Sequence, residues 1–167
     1  MGHFGFSYIG LAYMLMLAIP NILWARRKPE GYDPAGENGI LLIVERAGQA
    51  LCTFAILFFS DTNLRPWEPW TVWLIVSALL MLLYEGYWIR YFHCGRSLRD
   101  FYRPFLGVPA PGAVLPVAAF FLLGIYGRLI WLAAASVILG IGHIGIHSQH
   151  IGKLRTCSHS LNHSDFE

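Results

Sequence analysis

Four ionisable side chains stand inside apolar stretches of the sequence, at Glu45, Glu85, His143 and His147. A charged group inside a membrane is costly, so ionisable residues there usually pair, line a wet cavity or mark a functional site. Imidazoles four residues apart lie on one helix face, where they can share a metal ion or relay protons near neutral pH. We take these four residues as candidate ligand-binding or proton-relay groups. The sequence identifies no catalytic residue, metal or cofactor.

The two histidines belong to a periodic face of the last apolar segment. Small residues and histidines recur there three and four residues apart, at Ala133, Ser136, Gly140, His143, His147 and His150. This spacing places them on one narrow helix face, which we predict to look into a helix bundle. The structural alternative is a packing seam whose histidines hydrogen-bond to a neighbouring helix.

The two glutamates differ in their surroundings along the chain. Glu45 shares a predicted helix face with Gly48, Gln49 and Cys52, and its structural alternative is a partner for a buried histidine or arginine. Glu85 has no basic residue on its own face, so it needs a partner on another helix. We expect that partner to be His143 or His147.

A short stretch between two apolar segments contains four arginines: Arg90, Arg96, Arg99 and Arg103. Guanidinium groups bind phosphate or carboxylate through two parallel hydrogen bonds, so this loop is a candidate anion site. The alternative is a loop that sets the membrane topology and is attracted to anionic lipids.

The composition excludes a water-soluble globule. Hydrophobic residues make up 56% of the 167 residues and charged residues only 13%, whereas soluble domains carry roughly 25% charged residues. The net charge is +2, and no basic run suited to nucleic acid is present.

A transmembrane helix needs about 20 apolar residues. Five segments qualify, the fourth being short, and they cover residues 4–24, 39–60, 70–92, 111–126 and 129–147. Several prolines interrupt the entry to the fourth span: Pro104, Pro109, Pro111 and Pro116. They indicate either a broken helix, which marks the substrate site in many transporters, or a helix whose first turn begins at Pro111, where proline is favoured. A tight turn at Gly127 and Arg128 would join it to the fifth span.

Basic residues concentrate after the first, third and fifth spans. They are Arg26, Arg27, Lys28, Arg90, Arg96, Arg99, Arg103, Lys153 and Arg155, against only Arg65 and Arg128 on the other side. The positive-inside rule makes the first side cytoplasmic. The sequence therefore predicts an all-α integral membrane protein, a bundle of five transmembrane helices with its N-terminus outside and its C-terminus in the cytoplasm. Residues 1–156 would form one domain in the cytoplasmic membrane, and residues 157–167 a disordered tail.

In length, predicted span number and tryptophan content the chain resembles the tryptophan-rich sensory protein family. The proline- and tryptophan-rich first loop of that family has no counterpart here, and the C-terminal cofactor motif of the isoprenylcysteine-type membrane methyltransferases is also missing. The sequence therefore assigns no family, and neither comparison supplies a site residue.

These observations favour a small membrane protein that binds or transports a small ligand or ion through a polar cavity in the cytoplasmic half of the bundle. One alternative is a membrane-embedded enzyme that uses the same Glu and His residues, with the arginine loop holding an anionic cosubstrate. Another is a non-catalytic subunit of a membrane complex. The expected partners are the lipid bilayer, an unidentified small ligand or ion and, for a transporter, further copies of the chain, but no nucleic acid.

Overall fold

The computed structural model describes the backbone of residues 2–164 and the side chains of residues 2–154. Within this part of the chain the fold is all-helical and has no strand. The helices are α1 (Tyr8–Arg26), α2 (Gly39–Phe58), α3 (Val72–His93), α4 (Leu98–Tyr102), α5 (Pro111–Gly127) and α6 (Ile130–Ser164). Helix α6 continues to Ser164 and so overlaps the predicted disordered tail, residues 157–167. The side chains of that tail lie outside the described residues, and its disorder stays a prediction.

Four helical segments are long and apolar enough to cross a membrane: Tyr8–Arg26, Gly39–Phe58, Pro69–His93 and Ile130–Leu154. The expected all-helical architecture is confirmed, and the length and composition of these four segments suit a membrane protein. The remaining apolar helix, α5, has 17 residues. At 1.5 Å of rise per residue it is about 25 Å long, slightly shorter than a hydrocarbon core of about 30 Å.

The ends of α5 follow the sequence signals. Pro111 occupies the first turn, preceded by Ala110 in the left-handed region at φ 44°. Proline is tolerated there because the first amide groups of a helix have no intrahelical acceptor. At the other end Arg128 is left-handed at φ 52°, which turns the chain within two residues into α6. Both the predicted start at Pro111 and the predicted turn at Arg128 are confirmed.

The most extensive helix contact in the bundle joins α2 to α6, which run antiparallel. A Cβ atom on Gly48 would lie 2.5 Å from the backbone of Leu139, and one on Gly142 would overlap the backbone of Glu45. Small residues let membrane helices approach in this way, so that their backbones gain van der Waals contact. The two glycines therefore set the spacing and register of α2 against α6.

Helix α5 lies between α3 and α6 and contributes much of the core. The facing side of α3 is aromatic: Tyr84, Tyr87 and Tyr91 are fully buried, and Trp88 is nearly so. Phe101 of α4 packs into the same aromatic group. This packing fixes α4 and the loop after it to the end of α3.

In contrast, α1 covers the bundle loosely. Only 17% of its membrane segment is buried, against 39% for the corresponding segment of α6. Two polar contacts hold it to α3, from Tyr13 Oη to Ser77 Oγ at 3.0 Å and from Asn21 Nδ2 to Tyr84 Oη at 2.7 Å. Helix α1 is thus the least buried of the four membrane-length helices, although Gly10 near its start lies close against the backbone of Ile56 in α2.

The segment before α1 is tied to the segment after α2. The backbone N–H and the ring of His3 both contact the Asp61 carboxylate, and Arg65 lies 4.0 Å from it. Burial alone raises the pKa of Asp61, but the His3 contacts and the Arg65 charge outweigh it and lower that pKa below its usual value. Asp61 therefore stays ionised and anchors the N-terminal segment at one end of the bundle.

The opposite end carries the loop between α1 and α2, α4 with its flanking loops, and the C-terminal part of α6. We call it the basic end. Trp24 at the end of α1 stacks on Phe101, with ring centroids 5.2 Å apart, and Lys153 of α6 donates to the carbonyl of Ala35. All three predicted basic regions therefore lie at this end.

The glycine contact between α2 and α6 can be tested by adding one methyl group. Gly48→Ala should lower the free energy of unfolding by roughly 1–3 kcal/mol, because the new Cβ forces the two backbones apart. Gly39→Ala is the matched control, because nothing lies within 4 Å of a Cβ at Gly39 in the same helix. Thermal unfolding in detergent measures both variants. Equal stability of the two variants would contradict the close contact.

Candidate functional site

The glycine contact brings Glu45 of α2 against His143 of α6. The ring N–H at His143 Nδ1 donates to Glu45 Oε1 over 2.6 Å, and Gln49 Nε2 donates to the same oxygen over 3.2 Å. The side chains of His143 and Glu45 are 24% and 12% exposed. A hydrogen bond this short and this sheltered gives the Glu45 carboxyl group a partner, which offsets part of the cost of placing a polar group inside an apolar helix bundle.

The predicted pairing of Glu85 with His143 or His147 is wrong. His143 is bonded to Glu45, and the buried Glu85 Oε1 has no hydrogen-bond partner among the described residues. The reason is the layer order. Because α5 lies between α3 and α6, a carboxylate on α3 is separated from the histidine face that α6 turns toward α2.

His147 stands one helical turn from His143, and the two rings meet edge to face with centroids 4.6 Å apart. The rings of Phe101 and Tyr102 flank His147 at 5.8 and 5.7 Å. The predicted grouping of these two histidines with one glutamate, Glu45, is thus present, while Glu85 is not part of it.

A second carboxylate–imidazole pair lies two turns nearer the basic end. His150 Nε2 contacts Glu37 Oε1 at 2.9 Å, and the rings of Tyr32 and Tyr102 stack on His150 at 5.3 and 6.0 Å. Glu37 was missed because it lies in a polar loop. The spacing of the residues could have indicated this second pair. Glu37 precedes Glu45 by about two helical turns, and His150 follows His143 by two turns, so the two pairs have the register expected of antiparallel helices.

The phenols around this second pair stay neutral. Burial, followed by the charge of Glu37 and a hydrogen bond to it, raises the pKa of Tyr32 to about 12. Burial also raises the pKa of Tyr102, with smaller contributions from Tyr32 and Glu37. Both hydroxyls are therefore available as neutral hydrogen-bonding groups at physiological pH.

The Glu45–His143 pair opens into a polar cavity of about 330 Å³. Helices α1, α2 and α6 supply most of its wall, with Trp88, Phe101 and Gly112 closing one side. Its polar and charged lining residues are Asn21, Lys28, Tyr32, Glu37, Glu45, Arg46, Gln49, His143 and His147. Three of the four residues expected from the sequence thus meet in one cavity.

Deeper in the bundle lies a second cavity, of about 360 Å³, with a mainly apolar lining. Its walls come from α1, α2, α5 and α6, and its apolar lining residues are Met14, Leu17, Ala18, Pro116, Val117, Phe120 and Leu139. It shares Asn21, Gln49, Gly112 and His143 with the polar cavity. The two cavities therefore adjoin at the level of the Glu45–His143 pair.

The four arginines do not form one site. Arg90 donates to the carbonyl groups of Arg103 and Pro104, both at 2.9 Å, and its guanidinium lies over the Phe105 ring. It thereby holds the loop after α4 in place. Arg96 is exposed and donates to the carbonyl of Phe92 at the end of α3.

Arg99 and Arg103 are exposed and line a separate groove of about 850 Å³, together with Ile151 and Leu154 of α6. This groove is larger than either of the two cavities inside the bundle, but none of Glu45, His143 and His147 borders it. Anion binding by these two arginines stays a prediction.

No group of three or more His, Cys, Asp or Glu side chains suited to a metal ion occurs within the described residues.

No protein-family model matches the chain, and neither a curated protein nor a solved structure matches it. The function of the site therefore has to be argued from its own chemistry.

The observed pairing predicts which carboxylate is coupled to His143. A thermal-unfolding double-mutant cycle in detergent with Glu45→Gln and His143→Asn should give a coupling free energy within the range of about 0.5–3 kcal/mol found for residues in contact. The same cycle with Glu85→Gln in place of Glu45→Gln is the control and should give a value near zero. A larger coupling for Glu85 than for Glu45 would refute the pairing.

Proposed function

We propose that this chain binds or transports a small ligand in the polar cavity at Glu45 and His143. The observation that carries the proposal is that this buried, bonded pair borders open space within the bundle instead of being sealed by packing. Ligand sites are typically concave, with volumes of about 300–1,000 Å³ and a few convergent polar groups. The polar cavity falls within this description.

Placing polar side chains around an empty cavity costs free energy, unless water or a ligand fills the cavity. Asn21, Gln49 and His143 border both cavities, on helices that are apolar enough to span a membrane. Each of the three makes a hydrogen bond through one of its nitrogen atoms. The remaining polar atom of each amide or imidazole at that depth needs water or a ligand to satisfy it. If these side chains served only to pack the helices together, direct contacts between the helices would be enough, and no cavity would be expected between them.

The enzyme alternative has less support. Its anionic cosubstrate was expected at the arginine loop, but Arg90 holds that loop, and Arg99 and Arg103 line a different groove. The thiol nearest the pair along α2, Cys52, is buried against Ser136. A role as a non-catalytic subunit, in a homo-oligomer or a larger complex, remains the second alternative.

We further propose that the protein crosses the cytoplasmic membrane five times. Its N-terminus would lie outside the cell and its basic end in the cytoplasm. Two observations support this. The tight turn at Arg128 makes α5 and α6 an antiparallel hairpin, and residues rich in Arg and Lys gather at one end of the bundle. The positive-inside rule then gives the orientation.

Reporter fusions test this topology. A reporter that is active only in the cytoplasm should be active when fused after Cys157, and inactive when fused after Arg65. A phosphatase that is active only outside should give the reverse pattern at both positions. A tail that reports outside, or an Arg65 loop that reports inside, would overturn the five-span arrangement.

Thiol labelling tests the cavity itself. The background replaces the native thiols by Cys52→Ala, Cys94→Ser and Cys157→Ser. Gln49→Cys in this background should react with a small, membrane-impermeant methanethiosulfonate applied from the cytoplasmic side. Leu51→Cys is the control, because Leu51 is exposed on α2 but borders neither cavity.

We expect labelling at position 49 to exceed that at position 51 by at least tenfold, because water reaches the first position and lipid covers the second. If Gln49→Cys stays unlabelled in a protein that elutes as a single species in detergent, the cavity is closed and the proposed function is wrong.

A further inference from the structure

The two adjoining cavities differ in chemistry along one line through the bundle. The deeper one is bordered by Leu17, Phe120 and Leu139 and by other apolar side chains. The shallower one, toward the basic end, is bordered by charged groups and amides. A ligand that extends through both would therefore need an apolar part and a polar part. This is the plan of an amphiphile, with its chain toward the membrane centre and its head toward the basic end.

The apolar cavity is suited to a hydrocarbon chain. Well-packed interiors contain few voids, because side chains around an empty space lose dispersion contacts. A chain in this cavity would restore those contacts. Water there would have Thr53 as a polar side-chain neighbour, besides Asn21, Gln49 and His143 at the shared boundary. One chain matches a cavity of about 360 Å³, which is near the lower limit for ligand sites.

The charges around the polar cavity favour an anionic head. Both of its carboxylates, Glu37 and Glu45, are already bonded to histidines. Its two cations, Lys28 and Arg46, have no carboxylate within 4.0 Å among the described residues. The Lys28 ammonium instead lies 5.9 and 5.8 Å from the ring centroids of Trp24 and Tyr32. Two cations without counter-ions at the mouth of the cavity would attract a carboxylate or phosphate group.

The position of the cavities gives such a molecule a route from the bilayer. Helix α1 contributes Leu17 and Asn21 to the walls and is the least buried of the four membrane-length helices. Displacing the stretch of α1 that carries Leu17 and Asn21 breaks the contact of Asn21 with Tyr84, while the start of the helix stays held by the close approach of Gly10 to Ile56 of α2. An amphiphile can then pass between α1 and the bundle without leaving the membrane.

We propose that the ligand of this protein is an anionic amphiphile with a single hydrocarbon chain. Its chain lies between Leu17, Phe120 and Leu139, and its head lies between Lys28 and Arg46. This inference rests on the proposed function of the same cavity. The shared chemistry of the head is an anionic oxygen group, which a fatty-acid carboxylate or the phosphate monoester of a single-chain lipid can supply.

Photocrosslinking in liposomes tests the inference. Three probes carry the same diazirine-labelled sixteen-carbon chain and end in a carboxylate, a phosphate monoester or an amine. At least one anionic probe should crosslink to peptides containing Val117 or Leu139, with at least fivefold higher yield than the amine. Labelling by only the carboxylate or only the phosphate would support the inference and identify the source of the head. If the amine probe crosslinked in the same yield as the anionic probes, the inference of an anionic head group would be overturned.

Two sets of variants keep the result independent of folding. Ala18→Trp fills the apolar cavity and should lower the crosslinking yield at least fivefold, whereas Ala12→Trp, at an exposed site on the same helix, should leave it within twofold. Combining Lys28→Gln with Arg46→Gln should lower the yield of the anionic probes to that of the amine. The control for this pair is Arg27→Gln, which lies outside both cavities.

Thiol labelling of Gln49→Cys separates the two possible failures. If Gln49→Cys reacts from the cytoplasmic side but no anionic probe crosslinks above the amine, the amphiphile inference is wrong and the proposed function stands. If Gln49→Cys does not react, both are wrong. The inference would also be overturned if neither Ala18→Trp nor the combined Lys28→Gln and Arg46→Gln variant changed the crosslinking yield. That result would mean that the probe reacts from the bulk lipid.

Discussion

Gly48 and Gly142 let the backbones of α2 and α6 approach until neither residue has room for a Cβ atom. This contact fixes the register of the antiparallel pair, and the register decides which side chains meet. Glu45 faces His143, and Glu37 faces His150 two turns along. In a membrane there is little water to compensate a mismatched pair, so a shift of one residue would leave both carboxylates without partners. The spacing of two glycines thus controls the electrostatics of the whole site.

The all-helical architecture and much of the site could be predicted because they follow from local patterns. Apolar length predicts the helices, Pro111 marks the start of α5, and the spacing of Ser136, Gly140 and His143 predicts the inward face of α6. Each of these signals lies within a single helix, where the period of 3.6 residues fixes relative directions. The same holds for Glu45 and Gln49, which are one turn apart and are hydrogen-bonded to each other.

Pairings between helices could not be predicted in the same way, because depth alone does not specify which helices are neighbours. Glu85 and His143 lie at similar depth by sequence, yet α5 is interposed between their helices. The short length of α5 gave no sign that it would be a central helix with Ala113, Ala119 and Leu123 in the core. Similarly, counting arginines could not reveal that Arg90 is occupied by backbone carbonyls of its own loop.

The distribution of packing explains how one small bundle can be stable and still contain a cavity. The α2–α6 contact and the packing of α5 against α3 and α6 hold the bundle together. Helix α1 is less buried, and its polar contacts to α3 come from Tyr13 and Asn21. Asn21 belongs to both features, because it bonds to Tyr84 and also borders the two cavities. A tighter α1 would close the space beside Glu45 and His143 and gain packing energy, but it would also seal the pair from any ligand. The proposed binding would therefore depend on α1, the least buried of the four membrane-length helices, because elements that move at ligand sites are drawn from the less stable parts of a protein.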